Sequence, residues 1–325
     1  MMNETLLRSF GPALLAMAAA FAAGPLMIPL LQKLKFGQVI RGEGPEWHMK
    51  KSGTPTMGGF IFWVGLLVAA LAFANLADPT VWMGLVAFFG FGLIGFADDF
   101  IKVKLKRNLG LKAWQKLALQ IALAAWITVF SARHNGTAIR VPLMEGLWEI
   151  GWWYYPLAMF AIVGLNNGTN LIDGLDGLCA SNAAVYFAAF GLVFASGLVP
   201  GGDQQGVLCC AMVGALIGFL RYNTYPARTF MGDTGSLSIG GLAVYVALMA
   251  KMPLFILIMG GMFLATTVSV ILQVGYFKLT HGKRLFKMAP LHHHFELLGL
   301  PETRIVTLYT LVTTALCMAG LLVLR

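Results

Sequence analysis

Residues 81–107 read VWMGLVAFFGFGLIGFADDFIKVKLKR, an uncharged apolar run, then Asp98-Asp99, then Lys102, Lys104, Lys106 and Arg107. A helix needs about 20 predominantly apolar residues to cross the hydrocarbon of a bilayer. The run from Val81 to Phe96 approaches that length without a single charge. Basic residues straight after such a run mark its cytoplasmic end. A carboxylate near a bilayer is costly, about 2.5–3.5 kcal/mol per charge at a helix centre, so a pair of them there needs a reason. This one stretch therefore predicts a membrane span whose inner end carries chemistry.

The whole chain follows the same pattern. Its 325 residues are 58% hydrophobic and only 11% charged, with a mean hydropathy of +0.76. Soluble domains carry about 25% charged residues, so this is an integral membrane protein whose core is helix against helix. The expected fold class is all-α and polytopic. Ten membrane-length segments are legible, roughly Phe10–Leu31, Met57–Leu76, Val81–Phe96, Trp114–Phe130, Trp152–Leu171, Leu178–Leu198, Gly206–Leu220, Leu237–Lys251, Pro253–Phe277 and Ile305–Leu324. The first is read as a span rather than a cleaved leader, because it is long for a signal segment and only Arg8 precedes it. Together the segments make one integral membrane domain over residues 1–325. The four cysteines, Cys179, Cys209, Cys210 and Cys317, fall in apolar runs without metal or redox spacing.

Charge gives the orientation. Of the 23 basic residues, 18 fall in the connections on one side of this layout. The other side holds five, Arg8, Arg133, Arg140, Lys251 and Arg325. The positive-inside rule puts the richer side in the cytoplasm and both termini outside. The net charge of +9 then faces anionic lipid rather than nucleic acid. The longest outer connection, 131–151, alternates Ile139-Arg140-Val141 around a Pro/Gly turn and is expected to form a small hairpin.

Five of the fourteen acidic residues, Asp98, Asp99, Asp173, Asp176 and Asp233, fall at cytoplasmic ends under this layout. A span miscounted between them would split the group across the membrane. Several carboxylates on one face suggest a divalent cation, and that suggests phosphate chemistry. Asp98 and Asp99 project about 100° apart on a helix, so one is expected to face metal or substrate while the other holds a lysine or supports it. In NNGTNLIDGLDGL (Asn166–Leu178), Gly174 and Gly177 allow close backbone approach, and Asn167 and Asn170 add amides without charge. FMGDTGSL (Phe230–Leu237) sets Asp233 and Thr234 before a span, as ligand or as helix cap, and Phe230 offers a stacking face. APLHHHFELLG (Ala289–Gly299) invites a zinc reading, but three consecutive residues cannot ligate one ion from a helix, and donors to phosphate are favoured. HMKKSGTPTMGG (His48–Gly59) joins lysines to a Gly/Thr/Pro loop and suggests a phosphate cradle without Walker spacing.

In this order the five motifs closely resemble the phospho-N-acetylmuramoyl-pentapeptide transferase family, from about Lys33 to the C-terminus. KSGTPTMGG and HHHFELLG carry most of the specificity. The aspartate motifs are shared with the wider superfamily of polyprenyl-phosphate N-acetylhexosamine-1-phosphate transferases. The resemblance implies a cytoplasm-facing cleft in a bacterial inner-membrane enzyme of peptidoglycan synthesis. Its substrates would be UDP-N-acetylmuramoyl-pentapeptide and undecaprenyl phosphate, with Mg²⁺ as cofactor. It implies Mg²⁺ on Asp233, with Asp98 and Asp99 close by and Asp98 handling the lipid phosphate. Asp173, Asp176, Asn170, Lys116, His292, His293 and His294 would complete the cleft, with Lys112 one turn away as the alternative to Lys116. Lys51, Thr56, Phe230 and Gln273 would hold the uridine or sugar side, and Asn223 the diphosphate. Members are commonly homodimers. Two other readings stand beside it. One is a transferase for a different UDP-N-acetylhexosamine. The other is an ion-coupled transporter, although transporter carboxylates lie near the bilayer midplane on broken, repeated helices.

Overall fold

The computed structural model describes residues 2–34, 53–104 and 110–324. These residues form α1 (Met2–Lys33), α2 (Gly59–Phe73), α3 (Pro79–Lys104), α4 (Ala113–Asn135), β1 (Ala138–Ile139), β2 (Trp148–Glu149), α5 (Tyr154–Ile172), α6 (Leu178–Ala195), α7 (Asp203–Asn223), α8 (Gly232–Met249), α9 (Ile256–Met259), α10 (Gly261–Leu279), α11 (Leu291–Leu297) and α12 (Glu302–Leu322). The all-α expectation holds. Seven of the described helices, α1, α3, α4, α6, α7, α10 and α12, are long and apolar enough to cross a membrane. Each of the other expected segments also contains a helix, but α2 has only 15 residues, and α5 and α8 carry polar ends.

Two departures from the expected layout matter for the site. The segment expected as one helix from Pro253 to Phe277 is broken into a 3₁₀ turn at Pro253–Phe255, then α9, then α10. The break falls at Gly260-Gly261, where two residues of poor helix propensity stand together. The third helix runs on past Phe96 to Lys104, so Asp98 and Asp99 lie inside a helix rather than beyond one.

The centre of the molecule is α8, buried at every residue from Thr234 to Met249. It packs against α2, α3, α5, α6 and α7. Small residues make this possible, because without a hydrophobic drive between helices in lipid, close backbone approach supplies the packing. A side chain at Gly241 would meet the Ala87 carbonyl of α3, and one at Gly240 would stand 2.6 Å from Asn166 Cα of α5. The same Gly, Ser and Thr content makes α8 less hydropathic than α2 and α6 although it is the most buried. Aromatic edges lock α2 to its neighbours, with Phe62 against Phe219 at 5.2 Å and Trp63 against Phe89 at 5.1 Å. In α1, Pro25 has no N–H, which leaves the Phe21 carbonyl without its helical partner. The Tyr222 hydroxyl of α7 donates to that carbonyl at 2.6 Å.

The hairpin expected in the 131–151 connection is present, antiparallel, pairing Ala138 with Glu149 and Ile139 with Trp148. The Arg140 N–H donates to the Lys251 carbonyl at 2.7 Å, and the Leu143 N–H to Val323 at 3.2 Å. These contacts gather the ends of α8 and α12 at one pole. The aspartate-bearing ends of α3, α5 and α8 meet at the other.

Candidate functional site

Three carboxylates converge where α3 passes the first turn of α8. Asp98, Asp99 and Asp233 each offer one oxygen, and these oxygens all lie within 4.8 Å of one another. Glycine lets the helices come this close. A side chain at Gly95 would meet the Asp233 carbonyl, and one at Gly232, where φ is +69°, would stand 2.6 Å from Asp99 Oδ2 and 2.7 Å from Thr56 Oγ1. The approach brings Thr56, which the resemblance puts on the uridine or sugar side, beside the acidic group. Asp99 Oδ2 accepts from the Thr234 N–H at 2.9 Å and the Thr234 hydroxyl at 2.8 Å. Asp98 Oδ1 accepts from the Leu111 N–H at 2.7 Å. Both aspartates are 4% exposed, so these bonds fix the carboxylates rather than decorate them.

Two lysines complete the group. Lys102, one turn on from the aspartates, places Nζ 2.6 Å from Asp98, 3.1 Å from Asp233 and 3.8 Å from Asp99. Lys116, from α4, places Nζ 2.8 Å from Asp233 and 3.4 Å from Asn170 Oδ1. Lys112, the sequence alternative, caps the helix start through its backbone bond with Gln115 and is exposed. Asn170 donates to Asp233 Oδ1 at 2.8 Å and to Ser236 Oγ at 2.9 Å. In the sequence Lys102 figures only among the basic residues that mark a cytoplasmic helix end, yet it contacts all three carboxylates. Its i+4 and i+3 spacing from Asp98 and Asp99 was the available signal. The expectation that only one of the adjacent aspartates would face the group gives way too. Asp98 holds a lysine as foreseen, but Asp233 sits between the two directions, so both reach it.

The loop that reads DGLDG (Asp173–Gly177) lies beside this group. Burial pushes the Asp173 carboxyl well above the usual range, and the charges of Asp233, Asp99 and Asp176 push the same way. Among the described residues no ion pair or hydrogen bond to its carboxylate is present. Asp176 has a different task. Its Oδ2 accepts from the Ala227 N–H at 2.9 Å, and its own N–H donates to Glu302 at 2.6 Å. Asn223, 2% exposed, accepts from the Gly177 N–H at 3.1 Å and donates to the Thr229 carbonyl at 3.0 Å. Both amide ends are used to tie the DGLDG loop to the segment before α8, so the structure gives Asn223 a scaffolding position. Phe230 is half-buried, and its N–H donates to the Pro55 carbonyl at 2.9 Å. The Gly58 N–H returns a bond to the Phe230 carbonyl at 2.7 Å. The TPTMGG and TFMGD loops are thus laced together. Lys51 lies outside the described residues.

The histidines sit on α11, a short helix additional to the expected spans. His292 is fully buried, and its Nε2 occupies the space a side chain at Gly174 would need. His293 Nδ1 pairs with Glu296 at 2.6 Å. His294 Nδ1 accepts from the Lys287 N–H at 3.1 Å, which leaves Nε2 as the ring atom able to donate. Three different environments argue against one shared metal on this triplet. Gln273 accepts from the Leu285 and Phe286 N–H groups at 3.1 and 2.8 Å and donates to the Phe286 carbonyl at 3.2 Å, so it shapes the loop leading into α11.

A cation bound by oxygen ligands at about 2.0–2.1 Å needs donors about 3–4 Å apart, and hard carboxylate oxygens suit it. Asp98, Asp99 and Asp233 bring one oxygen each within 4.8 Å of the others, so a modest closure would let the carboxylate set hold a metal ion.

Comparison with known proteins points the same way. The family model described as glycosyl transferase family 4 matches residues 81–251. A Clostridioides difficile (strain 630) protein named phospho-N-acetylmuramoyl-pentapeptide-transferase is 46% identical over 306 residues, covering 94% of both chains. A protein of the same name from Clostridium botulinum (strain Alaska E43) is 44% identical over 324 residues, covering 100% of this chain and 98% of that one.

Proposed function

The chain belongs to the phospho-N-acetylmuramoyl-pentapeptide transferase family, and we propose that the cleft between α3 and α8 is where its reaction takes place. It is a membrane transferase of peptidoglycan synthesis. It takes phospho-N-acetylmuramoyl-pentapeptide from the UDP derivative to undecaprenyl phosphate and forms the first lipid-linked intermediate. An oxygen of the lipid phosphate bonds to the β-phosphorus of the donor. The bond from that phosphorus to the oxygen bridging to the α-phosphorus breaks, and UMP leaves.

The observation that carries the assignment to this cleft is the meeting of Asp98, Asp99 and Asp233 with Lys102 and Lys116. Phosphoryl transfer asks a protein mainly for positioning and charge neutralisation. Mg²⁺, held by Asp233 with Asp98 and Asp99, would draw charge from the phosphate oxygens. Lys102 and Lys116 add two positive charges where both substrates bring negative ones. Asn170 fixes Asp233 through Oδ1, the carboxylate oxygen that the lysines leave free. A phosphate monoester has a second pKa of about 6, so the lipid phosphate is largely dianionic at neutral pH and attacks with little need of a general base. We favour this direct attack over a phospho-enzyme. Asp98 handles the lipid phosphate. Lys51, Thr56 and Phe230 receive the nucleotide side, with Gln273 and the α11 histidines closing the cleft over the sugar.

We further propose ten spans with both termini outside, the cleft facing the cytoplasm of a bacterial inner membrane, and a homodimer. The 18-to-5 distribution of basic residues and the opposite poles taken by hairpin and aspartates support that orientation. The test is UMP release from UDP-N-acetylmuramoyl-pentapeptide in detergent, with and without Mg²⁺ and undecaprenyl phosphate. Release should require all three. Release that proceeds without lipid phosphate, or better from another UDP-N-acetylhexosamine in competition, would overturn the reading.

A further inference from the structure

Lys116 reaches the acidic group from a helix that is otherwise turned outward. α4 exposes Trp114, Leu117, Leu119 and Ile121, and its buried residues begin only at Gln120. The first two turns of α4, which carry Lys116, therefore have little apolar packing to hold them. Gln120 lies one turn after Lys116 on the same face. Its amide is 1% exposed. Gln120 Nε2 donates to Asn166 Oδ1 at 3.1 Å and lies 3.5 Å from Asn167 Oδ1, and its Oε1 accepts from Asn167 Nδ2 at 3.0 Å. Asn166 in turn donates to the Leu237 carbonyl of α8 at 2.7 Å. A ladder of amides thus runs from α4 through α5 to α8, one turn deeper than the point where Lys116 meets Asn170 and Asp233.

We propose that Gln120 is a positioning residue that fixes where Lys116 presents its ammonium to the cleft. The inference rests on the reading that Lys116 belongs to the active site. The chemistry favours position over mere adhesion. Burying an amide among apolar helices is unfavourable unless its bonds are made, and an aliphatic side chain would pack there more cheaply. What an amide pair adds is a single register, because sliding or rotating α4 breaks both of its directional bonds at once. Lysine has a long flexible stem, so its own bonds cannot define the backbone beneath it. The Lys116–Asn170 contact, at 3.4 Å, is already near the limit of a hydrogen bond and is lost with a small shift of the helix.

The experiment compares Gln120→Met, Ser131→Ala and Lys116→Met in the full chain. Gln120→Met keeps side-chain volume and removes the amide. Ser131→Ala removes another buried bond between α4 and α5, to the Tyr154 hydroxyl at 2.7 Å, at the far pole. Thermal midpoint in detergent and the kcat and KM for both substrates are measured for each. Gln120→Met should lower kcat about 10-fold or more with KM within about threefold, as expected for lost alignment rather than lost binding. Its midpoint should fall further than that of Ser131→Ala, which loses one interhelical bond rather than two and should keep kcat within about twofold, so kcat is compared at a temperature well below both midpoints. The proposal fails if Gln120→Met retains its kcat, or if both variants lose kcat in proportion to their midpoints. Undiminished turnover in Lys116→Met is a separate outcome and would remove Lys116 from the site itself.

Discussion

Gly95→Ala tests whether the α3–α8 approach, and not merely the presence of the aspartates, makes the site. A methyl at Gly95 would run into the Asp233 carbonyl and stand 2.7 Å from the Thr234 nitrogen. Both obstacles are backbone, so no side chain can swing away. Ordinary contact begins at 3.4 Å, so the Thr234 nitrogen alone requires a retreat of at least 0.7 Å, and the nearer carbonyl requires more. Asp98 and Asp99 ride on the same turn of α3. A shift of that size stretches the Asp99–Thr234 bonds from 2.8 and 2.9 Å beyond useful hydrogen-bonding distance. It also opens the three-carboxylate group. Misplacing catalytic groups by about 1 Å lowers turnover about 100-fold, and overpacking a helix contact destabilises by about 1–3 kcal/mol. The control is Gly164→Ala on α5, where a methyl meets nothing within 4 Å. It should leave turnover within about twofold, since alanine is the better helix former by about 0.5–1 kcal/mol. UMP release and thermal midpoint are measured together. If Gly95→Ala turns over within about threefold of the parent, an alignment of this precision is not what the cleft requires, and the reasoning from helix approach is refuted.

Asp233→Asn should abolish turnover while the thermal midpoint stays close to that of the parent, because a cation needs charged oxygen ligands. Turnover within about threefold at saturating Mg²⁺ would remove Asp233 from the ligand set. Asn223→Ala should behave as a scaffold lesion, since it orphans the Gly177 N–H and the Thr229 carbonyl, about 1–3 kcal/mol for each buried group left unpaired. A stable variant in which only the donor KM rises would instead make Asn223 a substrate ligand. Cysteines introduced at Arg228 and Lys283 should resist impermeant thiol reagents in intact cells and react after permeabilisation, whereas one at Glu145 in the hairpin loop should label at once. Three of the four native cysteines are buried, which limits background. Reversed labelling at either inner position would mean a miscounted span.

Much of the fold was legible because hydropathy and charge act over whole segments. The lengths of the apolar runs find the helices, and the basic residues order their ends. α8 shows where this signal weakens. Glycine, serine and threonine make it the most closely approached helix, and those same residues lower its hydropathy. The break at Gly260-Gly261 was missed because flanking apolar residues continue the run without interruption. At the site, carboxylates stood out because their position is costly near a bilayer. Lys102 and Gln120 did not. A lysine after a span has an ordinary explanation in the positive-inside pattern, and a single glutamine in an apolar helix carries no motif. Both become informative only once the partner helices are in place, since their contacts lie as far as 131 positions away in the chain. Asn223 and Gln273 show the converse. Their types suit substrate binding, but their amides are occupied by the protein's own backbone.

The charge pattern explains why this cluster can sit at the edge of a bilayer. Three converging carboxylates left alone would repel one another and would pay the full cost of leaving water. Lys102 relieves both by lying 2.6 to 3.8 Å from all three, and Lys116 adds a second ammonium on Asp233. The group as a whole then carries a formal charge of about −1, small enough to be tolerated and still attractive to a divalent cation. With such a cation the sign becomes positive, which is what two phosphate-bearing substrates require in one place. Asp173 stands apart, beside the cluster and without an ion-pair partner among the described residues. Burial and three neighbouring carboxylates disfavour its charged form, and a cation held by the adjacent cluster would shift Asp173 back toward ionisation.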